Sequence, residues 1–334
     1  MFILKLIFGI SAAFAAVMGP TRGPAAQTNK KIAFILSDAK NGGVMGAKAG
    51  FMEATRLLSW KVEVRDGMGD MEALNLHLEE ALNTNVDGIV LCGFQPDKKQ
   101  LKILQAKKKQ IVVVGWHAGT KPGPVPGLFT NISTDPSEVG RLTIQALRNT
   151  GSKTPGVIVI TDNRFAIAKE KTQILTSALK SCPECRLLAV VDIPISEAQE
   201  KIPGFVQRMN TQFGKAWTHT VAINDIYFDN MNFPLKDVGR QDIANIAAGD
   251  GSRVAISRIK GGGSQQAVTV AEPLIFQGWQ IADELNRGFS GQKESGFVSK
   301  PVVVNKEFLA TLSGDDIEEP VDFRKAYSEI WQRK

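Results

Sequence analysis

The feature that most constrains the fold of this chain is a regular alternation between short apolar runs and longer amphipathic segments. Lys31–Leu36 is short and apolar, Val44–Trp60 repeats its apolar side chains at helical spacing, and Val86–Cys92 is again a short apolar run. Short continuous apolar runs are typical of parallel strands, because helices cover both faces of a parallel sheet. The alternation therefore predicts an α/β protein with parallel sheets.

The alternation occurs twice, which predicts two lobes. A second set of strands and helices begins after Asp135-Pro136-Ser137-Glu138, where Asp can cap a helix, Pro fits its first turn and Glu can reach back to the cap. We assign residues 30–132 with about 273–299 to an N-terminal lobe, and residues 133–272 with about 300–334 to a C-terminal lobe. The predicted fold has two Rossmann-like, doubly wound parallel-sheet lobes joined by hinge strands.

The predicted fold also indicates where a ligand would bind. In doubly wound sheets, ligands bind outside the carboxyl ends of the strands. Two such lobes that face each other enclose a cleft, and small-molecule sites are common at domain interfaces. We therefore expect a small-molecule site between the lobes.

The N-terminus has the pattern of a secretory signal peptide. Lys5 precedes the apolar run Leu6–Met18, and the small residues Pro24-Ala25-Ala26 follow. We assign residues 1–26 to this leader; an uncleaved membrane anchor is the alternative. Removal of the leader lowers the net charge from +6 to +4. That excess is too small to indicate nucleic-acid binding, and the lysine run 107–109 is interpreted as the solvated face of a helix.

Three cysteines are present, and two of them form the close pair Cys182-Pro183-Glu184-Cys185. The pair follows a predicted helix, whereas a redox-active thiolate is favoured at a helix start. A zinc site would need two more ligands nearby. We interpret the pair as a structural disulfide permitted by export, with its redox state left open. Cys92 is interpreted as a small buried apolar residue.

Several stretches, in the same order along the chain, resemble the ribose-type (type 1) periplasmic sugar-binding proteins, whose lobes are shared with the LacI-type sugar-sensing regulators. They are Lys31–Gly43, Asn85–Leu91, Ile111–His117, Ile132–Gly140, Ala222–Asp225, Ala248–Gly251 and Val268–Pro273. A regulator would carry a helix-turn-helix before Lys31, where this chain has an apolar leader. The resemblance therefore implies a periplasmic binding protein that does not bind DNA.

The resemblance also implies which residues bind the ligand. They are Asn41, Trp116, His117, Lys171, Asn224, Asp250 and Glu272. Asn224 and Asp250 match the family, whereas His117 stands in place of Asp, Lys171 in place of Arg, and Glu272 in place of Gln. Amide, carboxylate and imidazole groups suit the hydroxyls of a sugar, and Trp116 could cover its C–H face.

Each assignment has a structural alternative. Asp250 could bond its own backbone, Asn224 could begin a helix, and Lys171 could be a solvated helix residue. Trp116 and His117 could belong to the core. The family's aromatic residues after Asn41 are absent, which argues against plain ribose or galactose. Glu272 would suit a cationic ligand such as an amino sugar.

The predicted function is capture of a small polar ligand, a sugar or sugar derivative, for an importer driven by ATP (an ABC transporter) whose permease lies in the inner membrane. We expect a monomer in the periplasm, with no metal or cofactor. An exported sensor subunit for a membrane kinase or chemoreceptor is the main alternative. An enzyme is disfavoured, because Gly261–Ser264 lacks the ending of a phosphate-binding loop and the chain has no Gly-x-Ser-x-Gly motif.

Overall fold

The structure is a computed structural model that describes residues 23–107, 110–314, 317–318 and 322–332. The N-terminal part of the chain forms a five-stranded parallel sheet in the order β2-β1-β3-β4-β5. Its strands are β1 (Lys31–Leu36), β2 (Lys61–Asp66), β3 (Gly88–Cys92), β4 (Val112–Trp116) and β5 (Thr130–Ile132). The helices between them are α1 (Gly42–Leu57), α2 (Met71–Asn83) and α3 (Lys98–Lys107).

The second sheet has six strands in the order β11-β10-β9-β8-β6-β7. Its strands are β6 (Gly156–Thr161), β7 (Arg186–Asp192), β8 (His219–Ala222), β9 (Ala244–Ala247), β10 (Gln266–Ala271) and β11 (Val302–Val304). They pair in parallel except for β11, which is antiparallel to β10.

The remaining helices follow in chain order. They are α4 (Pro136–Arg148), α5 (Ala166–Lys180), α6 (Ala198–Phe213), α7 (Ile226–Asp229), α8 (Asn232–Asp237), α9 (Arg253–Gly261), α10 (Leu274–Phe289), α11 (Lys306–Leu309) and α12 (Phe323–Trp331). No helix in the described part of the chain is long and apolar enough to cross a membrane.

The inner strands of each sheet are buried on both faces, as β1 illustrates, whereas the edge strands β2 and β7 are partly exposed. Ala33 and Ile35 belong to one apolar cluster, and Ile32, Phe34 and Leu36 belong to another on the opposite face. Successive side chains of a strand point to opposite faces, so helices must cover both sides of the sheet. This burial and the parallel strand order confirm the predicted doubly wound α/β class.

The chain returns from the second sheet to the N-terminal lobe through α10, which packs against α1. A Cβ on Gly278 would lie 2.3 Å from the carbonyl oxygen of Ala47, so this close crossing requires glycine. The terminal helix α12 then stacks on α10, with the Trp279 and Trp331 rings 5.5 Å apart and nearly parallel. Assigning all of residues 300–334 to the C-terminal lobe was therefore wrong for α12, because its aromatic face completes the core beside α10.

The end of the predicted leader also contacts the N-terminal lobe. Residues 1–22 lie outside the described part of the chain, but the side-chain amide of Asn286 donates to the carbonyls of Pro24 and Ala25 at 3.3 Å each. The backbone N–H of Ala26 donates to the carbonyl of Trp331 at 3.0 Å. A cut directly after Ala26 would remove these three hydrogen bonds, so the leader boundary at residue 26 includes residues that pack in the fold.

One sequence-based assignment within the second lobe differs from the structure. The sequence of Asp237–Ile246 indicates a helix or loop, whereas its last residues belong to the inner strand β9 (Ala244–Ala247), which pairs on both sides. Alanine and asparagine have low strand propensity, so the segment lacks a strand signal of its own. Its position between β8 and β10 decides its conformation.

Cys182 and Cys185 form a disulfide, and the free Cys92 is buried. We expect replacement of both paired cysteines by serine to lower the free energy of unfolding by about 2 kcal/mol, because the bridge closes a loop of only a few residues. Urea denaturation measures this, and the wild type in a reducing buffer should match the variant. A loss above about 4 kcal/mol would show that the bridge does more than close a local loop.

Candidate functional site

The carboxyl ends of the strands of both sheets face one cavity between the lobes. The space enclosed between the lobes is about 40 Å³, smaller than the usual small-molecule site. Six of the seven predicted ligand residues line it: Asn41, Trp116, His117, Lys171, Asn224 and Asp250. Glu272, the seventh, lies directly behind the wall formed by His117 and Lys171. Their role in ligand binding stays a prediction.

Asn41, Asn224 and Asp250 join the lobes at one side of the cavity. The side-chain oxygen of Asn41 caps α1 by accepting the backbone N–H of Gly43 at 3.0 Å. The side-chain amide of Asn224 donates both to that oxygen, at 3.3 Å, and to Asp250 Oδ2, at 2.5 Å. Polar groups from both lobes therefore converge on one point, as a ligand held by both lobes would require.

A buried carboxylate, Asp225, fixes the loop that carries Asp250. Its Oδ2 accepts the backbone N–H groups of Asp250, Gly251 and Ser252 at 3.1, 2.7 and 3.1 Å. Burial and then the charge of Asp250 raise the pKa of Asp225 to about 6. Burial likewise raises the pKa of Asp250, although Lys171 and His117 act in the opposite direction. The side chain of Asp250 thus accepts a hydrogen bond from Asn224. The backbone of Asp250 is held by the Asp225 carboxylate rather than by the Asp250 side chain.

Glu272 is fully buried and faces residues of both lobes. Its Oε1 lies 2.9 Å from His117 Nε2, at the end of β4, and 3.4 Å from Lys171 Nζ, on α5. Burial alone would raise its pKa, but the neighbouring His117 and Lys171 hold the pKa below the usual range of a glutamate. Lys171 is itself only 4% exposed, so it is a buried charge partner rather than a solvated helix residue.

The second oxygen of Glu272 binds the segments that connect the lobes. Oε2 accepts the backbone N–H of Thr134 at 3.1 Å and the side-chain amide of Gln277 at 2.9 Å. The same Gln277 amide nitrogen donates to Ser299 Oγ at 2.9 Å. Thr134, Glu272 and Ser299 lie on three separate passages of the chain between the sheets. Glu272 therefore ties the hinge together at the base of the cleft.

Trp116 does not offer an open ring to a ligand. It is 1% exposed, its ring stacks on that of His117 at 3.9 Å, and its Nε1 donates to the side-chain oxygen of Gln277 at 2.7 Å. The aromatic side chain available in the cavity wall is instead Phe165, at the start of α5. The expected role of Trp116 as a cover for a sugar face does not fit this position, because the ring of Trp116 is held under His117.

Arg164 is a cavity residue that the sequence analysis missed. Its guanidinium pairs with Asp162 in two hydrogen bonds, at 2.9 and 2.6 Å, and its Nη1 donates to the carbonyl of Gly69 in the other lobe at 2.7 Å. Asp162 directly follows β6, so the rule that ligands bind at the carboxyl ends of strands could have identified this turn. The same rule indicates Asp38, which follows β1 and also lines the cavity.

The close contact of the lobes explains why the aromatic residues of the resembling family are absent. A Cβ on Gly43 would lie 2.2 Å from Asp250 Oδ2, so a ring at this position would overlap the opposite lobe. Together with the bond from Arg164 to Gly69, this approach shows that the structure is in a closed conformation.

The described residues include two groups with the spacing of metal ligands. The first joins His117, Asp250 and Glu272, whose ligand atoms lie within 4.8 Å of one another. Lys171 contacts the same Glu272 oxygen, and its positive charge opposes a cation there. The second group contains Cys182 and Cys185, whose sulfurs are already joined. Neither arrangement favours a metal centre.

Comparisons with known proteins agree with this geometry. A family model described as a periplasmic binding protein domain matches residues 32–293. Structures with similar folds include a sugar ABC transporter protein from Yersinia enterocolitica, at 17% identity and TM-score 0.78 over 91% of this chain and 95% of that one. The 5-methylthioribose transporter solute-binding protein of Thermotoga lettingae has 17% identity and TM-score 0.76 over 91% and 99%.

An ABC transporter solute-binding protein from Agrobacterium vitis, solved with bound allitol, has 16% identity and TM-score 0.69 over 85% of this chain and 97% of that one. A search of curated protein sequences found no significant match. The family model covers most of the chain, and the fold is shared with these structures. The protein therefore belongs to the periplasmic binding protein family.

Proposed function

We propose that the protein binds a small polyhydroxylated ligand, a sugar or a polyol, between its lobes and delivers it to an ABC importer. The observation that carries this proposal is the convergence of Asn41, Asn224 and Asp250, from both lobes, on one side of a closed cavity. Amide and carboxylate groups bind hydroxyls, and the ring of Phe165 can contact C–H groups. Allitol and 5-methylthioribose, the ligands of two proteins with this fold, support the assignment.

Binding and closure are coupled in this proposal. A ligand that bonds to both lobes favours the closed conformation by as much as its affinity for the two conformations differs. Arg164 would stabilise the closed conformation, because its hydrogen bond to the carbonyl of Gly69 links the two lobes only when the cleft is shut. The closed protein, exported to the periplasm as a monomer, is the form that a membrane permease would recognise.

Binding without chemistry is part of the same proposal. Asp250 is bonded by Asn224, and Glu272 is held by Thr134 and Gln277. The cavity carboxylates are thus fixed as hydrogen-bond acceptors. Membership of a binding-protein family supports the same conclusion.

A ligand panel tests the proposal. Thermal unfolding in the presence of pentoses, hexoses, sugar alcohols and amino sugars should show a raised midpoint with at least one compound. Replacement Asp250→Ala should weaken binding of that compound at least about tenfold, because one hydrogen bond to a charged group contributes about 1.5–3 kcal/mol. Asp237→Ala removes an exposed acid of the same lobe and serves as the control. A panel without any binder, or unchanged affinity in the Asp250 variant, would refute the proposal.

A further inference from the structure

We propose that Asp38 is a ligand-binding residue and that it selects a ligand carrying an amine on its polyol scaffold. This inference rests on the proposed function and names the class of ligand within it. Asp38 follows β1 at the edge where the cavity lies, and its side chain lines that cavity. The position is set by the fold, since the carboxyl ends of the strands of both sheets meet there.

The two oxygens of Asp38 have different surroundings. Oδ1 accepts the backbone N–H of Lys40 at 2.8 Å, which fixes the orientation of the carboxylate. Oδ2 is buried and has no hydrogen-bond partner among the residues that the structure describes, although Asp38 is only 4% exposed. A buried carboxylate oxygen without a donor is costly. A ligand donor in the cavity would supply the missing hydrogen bond.

The charges around the cavity indicate a cationic donor. The two basic side chains that line it, Arg164 and Lys171, already contact Asp162 at 2.6 Å and Glu272 at 3.4 Å. Within the described ranges, no basic group lies in ion-pair contact with Asp38. Burial and the charge of Asp66 raise the pKa of Asp38, against the opposing effects of the Lys40 N–H and Arg164. An ammonium group would offset this excess of negative charge better than a hydroxyl would.

This assignment moves the recognition of a cation away from Glu272. Both oxygens of Glu272 are occupied by partners from the protein, namely His117 and Lys171 on one side and Thr134 and Gln277 on the other. Asp38 has the free oxygen that Glu272 lacks. The hypothesis of an amino-sugar ligand is therefore retained, with Asp38 instead of Glu272 as the acceptor of the ammonium group.

Matched ligand pairs test the inference. Glucosamine against glucose, and galactosamine against galactose, differ only in the amine, and N-acetylglucosamine keeps the nitrogen without its charge. Isothermal titration calorimetry should give at least about fivefold tighter binding for the amine of a pair, because charge-assisted hydrogen bonds are about twice as strong as neutral ones. Asp38→Asn should abolish this preference. Glu197→Gln, which removes a half-buried carboxylate outside the cavity lining, should retain it.

The outcomes separate this inference from the proposed function. Binding of neutral sugars as tight as that of their amines, or an unchanged preference in Asp38→Asn, overturns the role of Asp38 but leaves polyol binding intact. A panel in which no compound binds overturns both. If the Asp38 variant fails to fold, a crystal structure of the wild type with glucosamine decides: the amine nitrogen should lie within hydrogen-bond distance of Asp38 Oδ2, and any other position refutes the inference.

Discussion

Replacement of Glu272 by alanine is expected to lower the free energy of unfolding by about 3–5 kcal/mol, the effect of breaking a buried ion pair from one side. The change would leave Lys171 buried without its counter-charge. It would also leave the Thr134 N–H and the Gln277 amide without their acceptor. Contacts would be lost both in the hinge and at the cleft, because the Glu272 carboxylate binds Thr134 and Gln277 in the hinge and Lys171 in the cleft wall.

The pH window of this effect follows from the pKa of Glu272. His117 and Lys171 hold that pKa below its unfolded value, so the stabilisation is present above about pH 4.5 and is lost only as the pH falls towards the folded value. The full effect is therefore expected at neutral pH. Urea denaturation of the wild type and the variant at pH 7 measures it.

A double variant provides the control. Lys171→Met combined with Glu272→Gln removes both charges, keeps similar volumes and retains an acceptor for Thr134. The double variant should recover much of the stability lost in Glu272→Ala, because replacing a buried pair as a whole costs less than removing one partner. A loss below about 1 kcal/mol in Glu272→Ala would contradict the network.

The second large effect concerns Glu284 on α10. This side chain is buried, and burial followed by the charge of Asp283 raises its pKa to about 7. A carboxyl whose folded pKa exceeds its unfolded value destabilises the fold at high pH, and the penalty disappears as the pH falls from about 7 to about 4.5. At pH 8 the penalty is about 3 kcal/mol, because the folded pKa of about 7 lies well above the ordinary value of a glutamate.

Glu284→Gln should therefore stabilise the protein at pH 8 by up to about 3 kcal/mol and change little near pH 4.5. Glutamine has the same shape and keeps an oxygen for the backbone N–H of Ser295, which Glu284 accepts. Urea denaturation of both proteins at about pH 8 and about pH 4.5 measures the difference and cancels the effects of other groups. A glutamine variant that is less stable than the wild type at pH 8 would contradict this prediction.

Much of the site could be predicted from the sequence because strand ends are identifiable and their order is fixed. The apolar runs located β1, β3 and β4, and the residues that follow them (Asp38, Asn41, His117) lie at the cavity. Asp38, Arg164 and Phe165 were not among the predicted ligand residues, although they too follow the carboxyl ends of strands, β1 for Asp38 and β6 for the other two. Short strands of low propensity, such as β9, were missed because their conformation depends on their neighbours in the sheet.

The order of elements, the doubly wound class and the line of polar residues at the strand ends were determined by the sequence alone, because side-chain periodicity and chain order are local properties. Which partner each polar group has was decided only by the tertiary structure. Glu272 and Gln277 together link three passages of the chain. Trp116 lies under His117, and α12 stacks on α10. These contacts join residues that are distant in sequence, and burial then fixes the charges that remain available to a ligand.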